Sequence, residues 1–526
     1  MTKKELIADL AFPDNILDIN ELESKYKSRD LDADQWVTRM APSPTGFVHI
    51  GAIYMGLLNY LLAKQTKGIS ILRIEDTDQK RQIEDGIEVI TSAFSGFGLN
   101  FDEGMGDDGK EHGNYGPYIQ SERRNIYRSY AKDLLIQNKA YVCFCSAEDL
   151  NNIREEQIKK KIRTGYYGEY ACCRSLSEDD VLDKLEKGNP FVIRMRSNGY
   201  HEKRTEVKDI VRGKRSLPQN DIDQVIIKSN DGLPTYHFAH VIDDHLMRTT
   251  HVIRGDEWLS SLPLHIEMFY NMGWKAPKYG HLSPIQKMDG EAKRKLSKRK
   301  DPEANIEYFI EQGYPVDAII EYLLNLANSN FEDWRKQNLS ADVTDFTLDL
   351  KKTSPSGALF DIDKLNSLSK GVISEYTNIQ AYDLAIEWAK KYSSDFYDLM
   401  VANEAYVKAI LNIEKETSRK RKDIAKWDTL EEDVSFFFDE LFTAPNLTDL
   451  EFDKEVILNC ISEYLNHIDQ EDDRDQWWKK IVDISKKNGF ATDMKYYKKN
   501  KDEFTGSISD FNELPTIKNS WASISK

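Results

Sequence analysis

Apolar positions in the first third of the chain follow two rhythms in turn. Trp36–Met40 is a short apolar run, closed by Ala41-Pro42-Ser43-Pro44-Thr45-Gly46, a loop fixed by two prolines and a glycine. From Gly51 to Lys64, Ile53, Leu57, Leu61 and Leu62 recur at helical spacing. Ile69–Ile74 reads as a second strand and ends in the acidic turn Glu75-Asp76-Thr77-Asp78. Strand, helix and strand in that order predict a βαβ unit. The sheet is then parallel, and ligands bind at the carboxyl ends of its strands.

From about Tyr127 to Asn220 helical and irregular segments interrupt this pattern, and sheet-like runs resume at Asp223–Lys228 and His251–Arg254. A domain inserted into an α/β domain reads this way. After Lys300 the chain turns helical almost throughout. Ala318–Leu324 and Val434–Phe442 both carry apolar faces of helical period. Residues 1–35 are polar and acidic without a sustained period, which predicts a partly ordered extension.

A length of 526 residues is too great for one core, so several domains are expected. A hydrophobic content of 40% and an aromatic content of 11% exclude a disordered chain. No run approaches the roughly 18 uncharged apolar residues that a membrane span needs. The start, MTKKELIADLAFPDN, has charges where a secretory segment would be apolar. Five cysteines in so long a chain make no disulfide framework. A cytoplasmic protein without a membrane partner is the expectation. The net charge of −17 argues mildly against nucleic acid, but binding RNA needs only local cations. Gln286–Lys300 holds seven basic residues (Lys287, Lys293, Arg294, Lys295, Lys298, Arg299, Lys300) against two acidic ones (Asp289, Glu291). Such a run is most often a solvated surface.

Two segments change that picture. In Arg39–Gly51, RMAPSPTGFVHIG, a Pro- and Gly-bound loop delivers His49 to a helix N-terminus, where backbone amides and the helix dipole favour a phosphate. Alone, His49 would as well be a histidine capping a turn. Lys295-Leu296-Ser297-Lys298-Arg299 offers two lysines on a loop, suited to neutralising charge that develops on a phosphate under attack.

Together with ILRIEDTD, these segments closely resemble bacterial glutamyl-tRNA synthetases, with signatures of the HIGH and KMSKS types of class I synthetases. GPYIQSERR (116–124), LPTYHFAHVIDDHLM (233–247) and VIRGDEW (252–258) extend the resemblance, which is dense from Trp36 to about Phe331 and looser beyond. It implies an α/β Rossmann-like catalytic domain (36–126 and 223–300) with an inserted tRNA acceptor-end-binding domain (127–222). After these come an α segment contacting the stem (301–370) and an all-α anticodon-binding domain (371–526), with 1–35 as an N-terminal extension.

The resemblance also implies roles. Arg39 and Arg254 would hold the glutamate side chain, as a planar guanidinium meets a carboxylate in bidentate fashion. Glu75 would take the α-amino group, and Tyr236 would wall the amino-acid pocket. His240, where some relatives have asparagine, would either bond the glutamate or pack. Ser43, His49, Gly51, Trp258 and Lys298 would surround ATP, and His49, Lys295 and Lys298 would be catalytic. Ala52 replaces the second histidine of the first signature, as is frequent in bacterial glutamyl enzymes.

Cys143 and Cys145, with Cys173 and either Tyr170 or Cys172, correspond to a structural zinc site of some relatives, while free cysteines are more often small buried hydrophobes. Tyr166-Tyr167-Gly168 and Arg194-Met195-Arg196 mix aromatic and basic side chains, as contact with unpaired bases requires, though core strand and turn would read alike. Lys415, Arg419, Lys420, Arg421, Lys422 and Lys426 form a candidate contact to the anticodon side. The chain runs only shortly past Asp510-Phe511, which leaves anticodon recognition open.

The implied activity is the ATP- and Mg²⁺-dependent joining of L-glutamate to the 3′ end of tRNA(Glu) by a monomer, with charging of tRNA(Gln) left open. A glutaminyl enzyme is disfavoured by Ser43 and Thr45 in the first loop. A shortened paralogue that modifies a tRNA base is disfavoured by the long helical part after Lys300. A catalytically dead RNA-binding regulator is disfavoured by intact His49, Lys295 and Lys298.

Overall fold

The computed structural model describes residues 1–13, 17–228, 232–354, 356–417, 420–442, 454–467, 469, 472, 474–504 and 506–507. Two compact units divide the chain: Met1–Phe309 with Ile319–Ile362, and Ile310–Ala318 with Asp363–Lys526.

Within residues 1–35 the first unit forms an arm of two helices, α1 (Lys3–Ala11) and α2 (Ile19–Lys25). Thr2 and Glu5 form a reciprocal capping box on α1, and Asp18 caps α2. Their apolar residues Ile7, Ala8, Ala11, Phe12 and Leu22, with Tyr26, join one core with Ile126, Tyr127, Tyr130, Ala131 and Leu134. Glu23 ties the arm further, accepting from the Tyr130 hydroxyl and lying near His245, each at 2.8 Å. Arg29 meets Glu103 with both arms of its fork, at 2.7 and 2.8 Å. The apolar face is only two turns long in each helix, so its period is drowned by the surrounding charges.

β1 (Val37–Met40), α3 (Ile50–Gln65) and β2 (Ile69–Leu72) form the expected right order, with β1 and β2 parallel from Val37↔Ile69 to Met40↔Leu72. Gly68 makes the turn possible: a Cβ there would stand 1.9 Å from the Trp36 carbonyl oxygen. After α4 (Gly86–Gly96), β3 (Glu103–Met105) adds parallel to β2 and β4 (Glu111–His112) antiparallel to β3. Then α5 (Arg124–Ile136) leads to a separate antiparallel sheet of β5 (Ala140–Cys143), β6 (Val192–Met195) and β9 (Val225–Ile227). Between its strands lie α6 (Ala147–Lys159), α7 (Glu178–Glu186) and the hairpin β7 (Arg204–Asp209)–β8 (Gly213–Pro218).

The chain returns through α8 (Tyr236–Leu246) to β10 (His251–Gly255), α9 (Leu262–Met272) and β11 (Lys278–Leu282), with β10 and β11 parallel. The Thr250 amide donates to the Val37 carbonyl at 3.0 Å, setting β10 beside β1. The hairpin β12 (Gln286–Asp289)–β13 (Ala292–Lys295) follows and presents the second lysine loop.

In the second unit, helices Asn378–Tyr392, Ser394–Ala402 and Glu404–Asn412 pack around Ala381, Ala385, Phe396, Met400, Val407, Trp427 and Leu430. The expected helix over Val434–Phe442 is not formed. Leu430–Val434 is helical, Ser435–Phe437 tightens to a 3₁₀ turn, and extended backbone follows at Phe438. The Ser435 hydroxyl donates to the Glu432 carbonyl at 2.8 Å, competing with the backbone ladder. Three consecutive phenylalanines also cannot share one helix face. Among the described residues no helix is long and apolar enough to cross a membrane.

Candidate active site

A cavity of about 870 Å³ opens where β1, β2 and β10 end. Arg39, Ser43, His49, Gly51, Glu75, Tyr236, Arg254, Trp258, Lys295 and Lys298 all line it. The sequence candidates for ATP and glutamate therefore meet in one place, with the exception of His240.

At one end of the cavity His49 is the N-cap of α3, and its Nδ1 accepts from the Gly51 amide at 2.8 Å. Burial, then the charge of Lys298, pushes the ring down to about 4, so at neutral pH it is uncharged and Nε2 keeps the proton. A hydrogen-bond donor thus stands at the positive end of a helix dipole. Lys298 Nζ donates to the Phe47 carbonyl at 2.8 Å and lies over the Phe47 ring. Lys295 Nζ is 3.6 Å from a Glu257 carboxylate oxygen. The loop between the lysines is anchored by Asp301, which accepts from both arms of Arg294 at 2.6 and 2.8 Å and from the Ser297 amide at 2.8 Å.

At the other end three charged groups from three strand ends are almost fully buried: Arg39, Glu75 and Arg254. Sequence reasoning passed over the groups that hold them. Arg73, fully buried, donates to Glu75 at 3.0 Å and to Asp244 at 2.7 Å. Arg39 Nε reaches Asp244 at 3.4 Å. Asp243 binds Arg123 at 2.6 Å and Gln120 at 2.8 Å. The signal was available, since Arg73 and the paired Asp243 and Asp244 stand inside the ILRIEDTD and HVIDDHLM segments. Burial pushes the Glu75 carboxyl up, outweighing the pull of Arg73 and Arg39. Arg254 donates from Nε to His281 and from Nη2 to His265, each at 3.1 Å.

Tyr236 stacks on Trp258, ring centroids 4.1 Å apart, and closes the pocket wall. His240 lies behind Tyr236, fully buried, with its ring nitrogens spent on neighbours: Nδ1 is 3.3 Å from Arg39 and 3.0 Å from Asp244, and Nε2 is 3.2 Å from the Tyr279 hydroxyl. His240 is therefore not part of the cavity lining.

The sulfurs of Cys143, Cys145 and Cys173 lie within 4.8 Å of one another. Cys172 lies beside one of them, its sulfur 3.4 Å from that of Cys145. Tyr170 does not. Two successive 3₁₀ turns, Gly168–Tyr170 and Cys172–Ser175, carry its hydroxyl away to Lys160 Nζ, 3.1 Å distant. The phenol among the sulfurs is Tyr166, 3.4 Å from Cys143 and 3.3 Å from Cys145. A hydrogen bond with Cys173 holds the Cys143 thiol down at about 4.

The aromatic and basic residues singled out nearby are largely interior. Tyr166, Arg194 and Met195 are buried, and the Arg194 guanidinium lies 4.0 Å over the Tyr166 ring. Arg196 covers Tyr141 in the same way at 4.7 Å. These pairs meet each other and are not free platforms for bases. In the second unit Lys420, Arg421 and Lys426 pair with Glu375, Asp423 and Asp428, and Lys415 donates to the Ile373 carbonyl. Lys422 is exposed; Arg419 and Asp510-Phe511 lie outside the described residues.

A parallel sheet whose strand ends gather His49, Lys295, Lys298 and two buried arginines around one cavity is the arrangement on which comparisons with known proteins bear. The match of residues 35–367 to the family model "tRNA synthetases class I (E and Q), catalytic domain" places the chain among the class I synthetases. It is 48% identical over 510 residues to a glutamate–tRNA ligase of Clostridium perfringens, covering 96% of this chain and 93% of the relative. A glutamate–tRNA ligase of Acetivibrio thermocellus is 44% identical over 97% of this chain and 93% of its own length. The crystal structure of a glutamate tRNA ligase from Elizabethkingia meningosepticum in complex with its amino acid superposes with a TM-score of 0.66. That match is 29% identical over 93% of this chain and 99% of the other. The chain belongs to the glutamate–tRNA ligase family.

Proposed function

We propose that this cavity activates L-glutamate with ATP and passes the glutamyl group to the 3′ end of tRNA(Glu). The observation that carries the reading is the meeting of Arg39, Glu75 and Arg254 with His49, Lys295 and Lys298 around one cavity. Two guanidinium groups suit the side-chain carboxylate of glutamate, and the Glu75 carboxyl suits its ammonium. The α-carboxylate then faces the α-phosphate of ATP and attacks it. An oxygen–phosphorus bond forms, and the bond to the departing pyrophosphate breaks. ATP enters as its Mg²⁺ complex, which neutralises part of the triphosphate charge. His49 Nε2–H and the two lysines stabilise the charge that builds up in transit, a matter of positioning and electrostatics. The terminal ribose hydroxyl of the tRNA finally takes the acyl group and AMP leaves.

In this reading 36–126 and 223–300 form the catalytic domain, 127–222 grips the acceptor end, 301–370 touches the stem and 371–526 reads the anticodon. The separate β5–β6–β9 sheet supports an inserted domain, although its last strand, Val225–Ile227, lies just past residue 222.

Zinc fits the cysteine cluster. Sulfurs of a tetrahedral zinc site stand roughly 3.8 Å apart; Cys145 is 3.4 and 3.5 Å from Cys172 and Cys173. Cys143, Cys145 and Cys173 would hold the ion, with Cys172 beside Cys145 as a candidate fourth ligand, and the ion would pin β5 to the turns after Tyr166.

One aminoacylation experiment tests the reading: purified tRNA(Glu) and tRNA(Gln), each with glutamate and with glutamine. Glutamate should be joined to tRNA(Glu) in an ATP-dependent reaction. Failure on that pair, or a preference for glutamine, would refute it.

A further inference from the structure

Arg254 sits in a different electrical setting from the other buried arginines of the site. Arg39, Arg73 and Arg123 each face a carboxylate, at 3.4, 2.7 and 2.6 Å. No carboxylate among the described residues pairs with Arg254. Its Nε and Nη2 donate to imidazole nitrogens of His281 and His265, while Nη1 is buried without a hydrogen-bond partner, on a residue that lines the cavity.

A guanidinium only donates, so these two contacts fix the tautomers of both rings. His281 Nε2 must carry a lone pair; its proton is on Nδ1 and is donated to Asp209 at 2.6 Å. His265 Nδ1 likewise accepts, and its Nε2–H is donated to His237 Nδ1 at 2.9 Å. The other oxygen of Asp209 accepts from the amides of Val211 and Arg212 at 2.9 and 2.8 Å, which locks that carboxylate on the β7–β8 turn. Burial holds His265 and His281 below the usual histidine range and His237 at about 4, in keeping with neutral rings.

We propose that Asp209, His281 and His265 are positioning residues for the choice of glutamate over glutamine, because they hold Arg254 by neutral acceptors and leave its charge uncompensated. This rests on the reading that the glutamate side chain docks on Arg254. A carboxylate in place of either imidazole would fix the guanidinium equally well, but it would also neutralise it and compete with the substrate. Neutral acceptors supply the geometry without the countercharge. The substrate's own carboxylate then completes the pair, and the amide of glutamine brings no charge to do so.

The decisive variant is Asp209→Asn in the full-length protein, assayed by aminoacylation of tRNA(Glu) with glutamate and with glutamine. The Val211 and Arg212 amides retain the amide oxygen, which turns the amide nitrogen toward His281. That ring must switch tautomer, and its Nε2–H then opposes the Arg254 Nε–H. KM for glutamate should rise roughly tenfold or more, the scale of one lost charge-assisted hydrogen bond. KM for ATP should stay put, and the glutamate-over-glutamine ratio of kcat/KM should fall. A merely structural role would lower melting temperature or kcat and leave that ratio unmoved.

Should Asp209→Asn fail to fold, His265 decides. His265→Asn keeps an acceptor near the Nδ1 position and should hold the ratio close to the parent's; His265→Leu removes it and should lower the ratio. Parent-like KM and ratio in folded Asp209→Asn, or in His265→Leu, would overturn the proposal. If Arg254→Gln itself left the ratio unchanged, the glutamate site would be misassigned and this inference would fall with it.

Discussion

Lys298 Nζ donates to the carbonyl of Phe47 at 2.8 Å, joining two loops that are 251 residues apart in sequence. The bond also sets the ammonium beside His49, whose lowered pKa it helps to cause. The first and last signature segments are therefore one electrostatic unit, made of a neutral donor at a helix N-terminus and a mobile-chain cation over it. A backbone carbonyl is a weak partner for an ammonium, and a phosphate oxygen would displace it.

His49→Ala and Lys298→Ala should accordingly each slow aminoacylation by about 10²–10³, the usual loss for one preorganised donor. Retention of tRNA in a filter-binding assay should be unchanged. Near-parental turnover in either variant would remove that residue from the phosphate site.

Arg254→Gln should lose most glutamate activation, chiefly in kcat/KM, and narrow the gap to glutamine. An unmatched polar site can reject a wrong substrate by roughly 10⁴, and the guanidinium is the group that glutamine leaves unmatched. The ratio of kcat/KM for the two amino acids, measured with tRNA present, decides; an unchanged ratio in a folded variant would count against the assignment.

Protein purified without chelator should contain about one equivalent of zinc. Cys143→Ser and Cys173→Ser should lose it, and Tyr170→Phe should not, because its hydroxyl faces Lys160. Elemental analysis of fully active protein that shows no metal would dispose of the site.

The arm should contribute to stability. Phe12 and Leu22 are each 3% exposed and pack into the α5 core, so Phe12→Ala or Leu22→Ala should cost about 2–5 kcal/mol. Denaturant midpoints measure this. A loss below about 0.5 kcal/mol, the usual size for surface changes, would mean that the arm does not stay docked in solution.

The parts legible in the sequence share a physical cause. The stretch from Trp36 to Ile74 could be read because a long apolar face on α3, two prolines and an acidic turn agree with one another. The cavity residues were legible through resemblance to a family whose chemistry demands their types. What stayed hidden depends on contacts between distant segments. Nothing near Arg254 in sequence announces Asp209 or His281, which arrive from β7 and β11. The arm's apolar positions 7, 8, 11 and 12 form too short a face to stand out, although the Thr2–Glu5 cap was there to be read. The choice between Tyr170 and Cys172 stayed open because a half-turn of 3₁₀ backbone decides which of two close side chains points toward the other sulfurs, and composition does not encode that.

The arm has one more consequence, which concerns synthesis. α1 and α2 are translated well before the surface that receives them: Tyr130 of α5 follows Glu23 by 107 residues, and His245 follows it by 222. At roughly 5–20 residues per second the first of these gaps lasts several seconds, during which Phe12, Leu22 and Tyr26 lack the α5 residues they pack on. The clustered charges around them, which obscured the helices from a reader of the sequence, are what would keep that waiting segment dissolved. A segment made early would then wait for the helix that seats it.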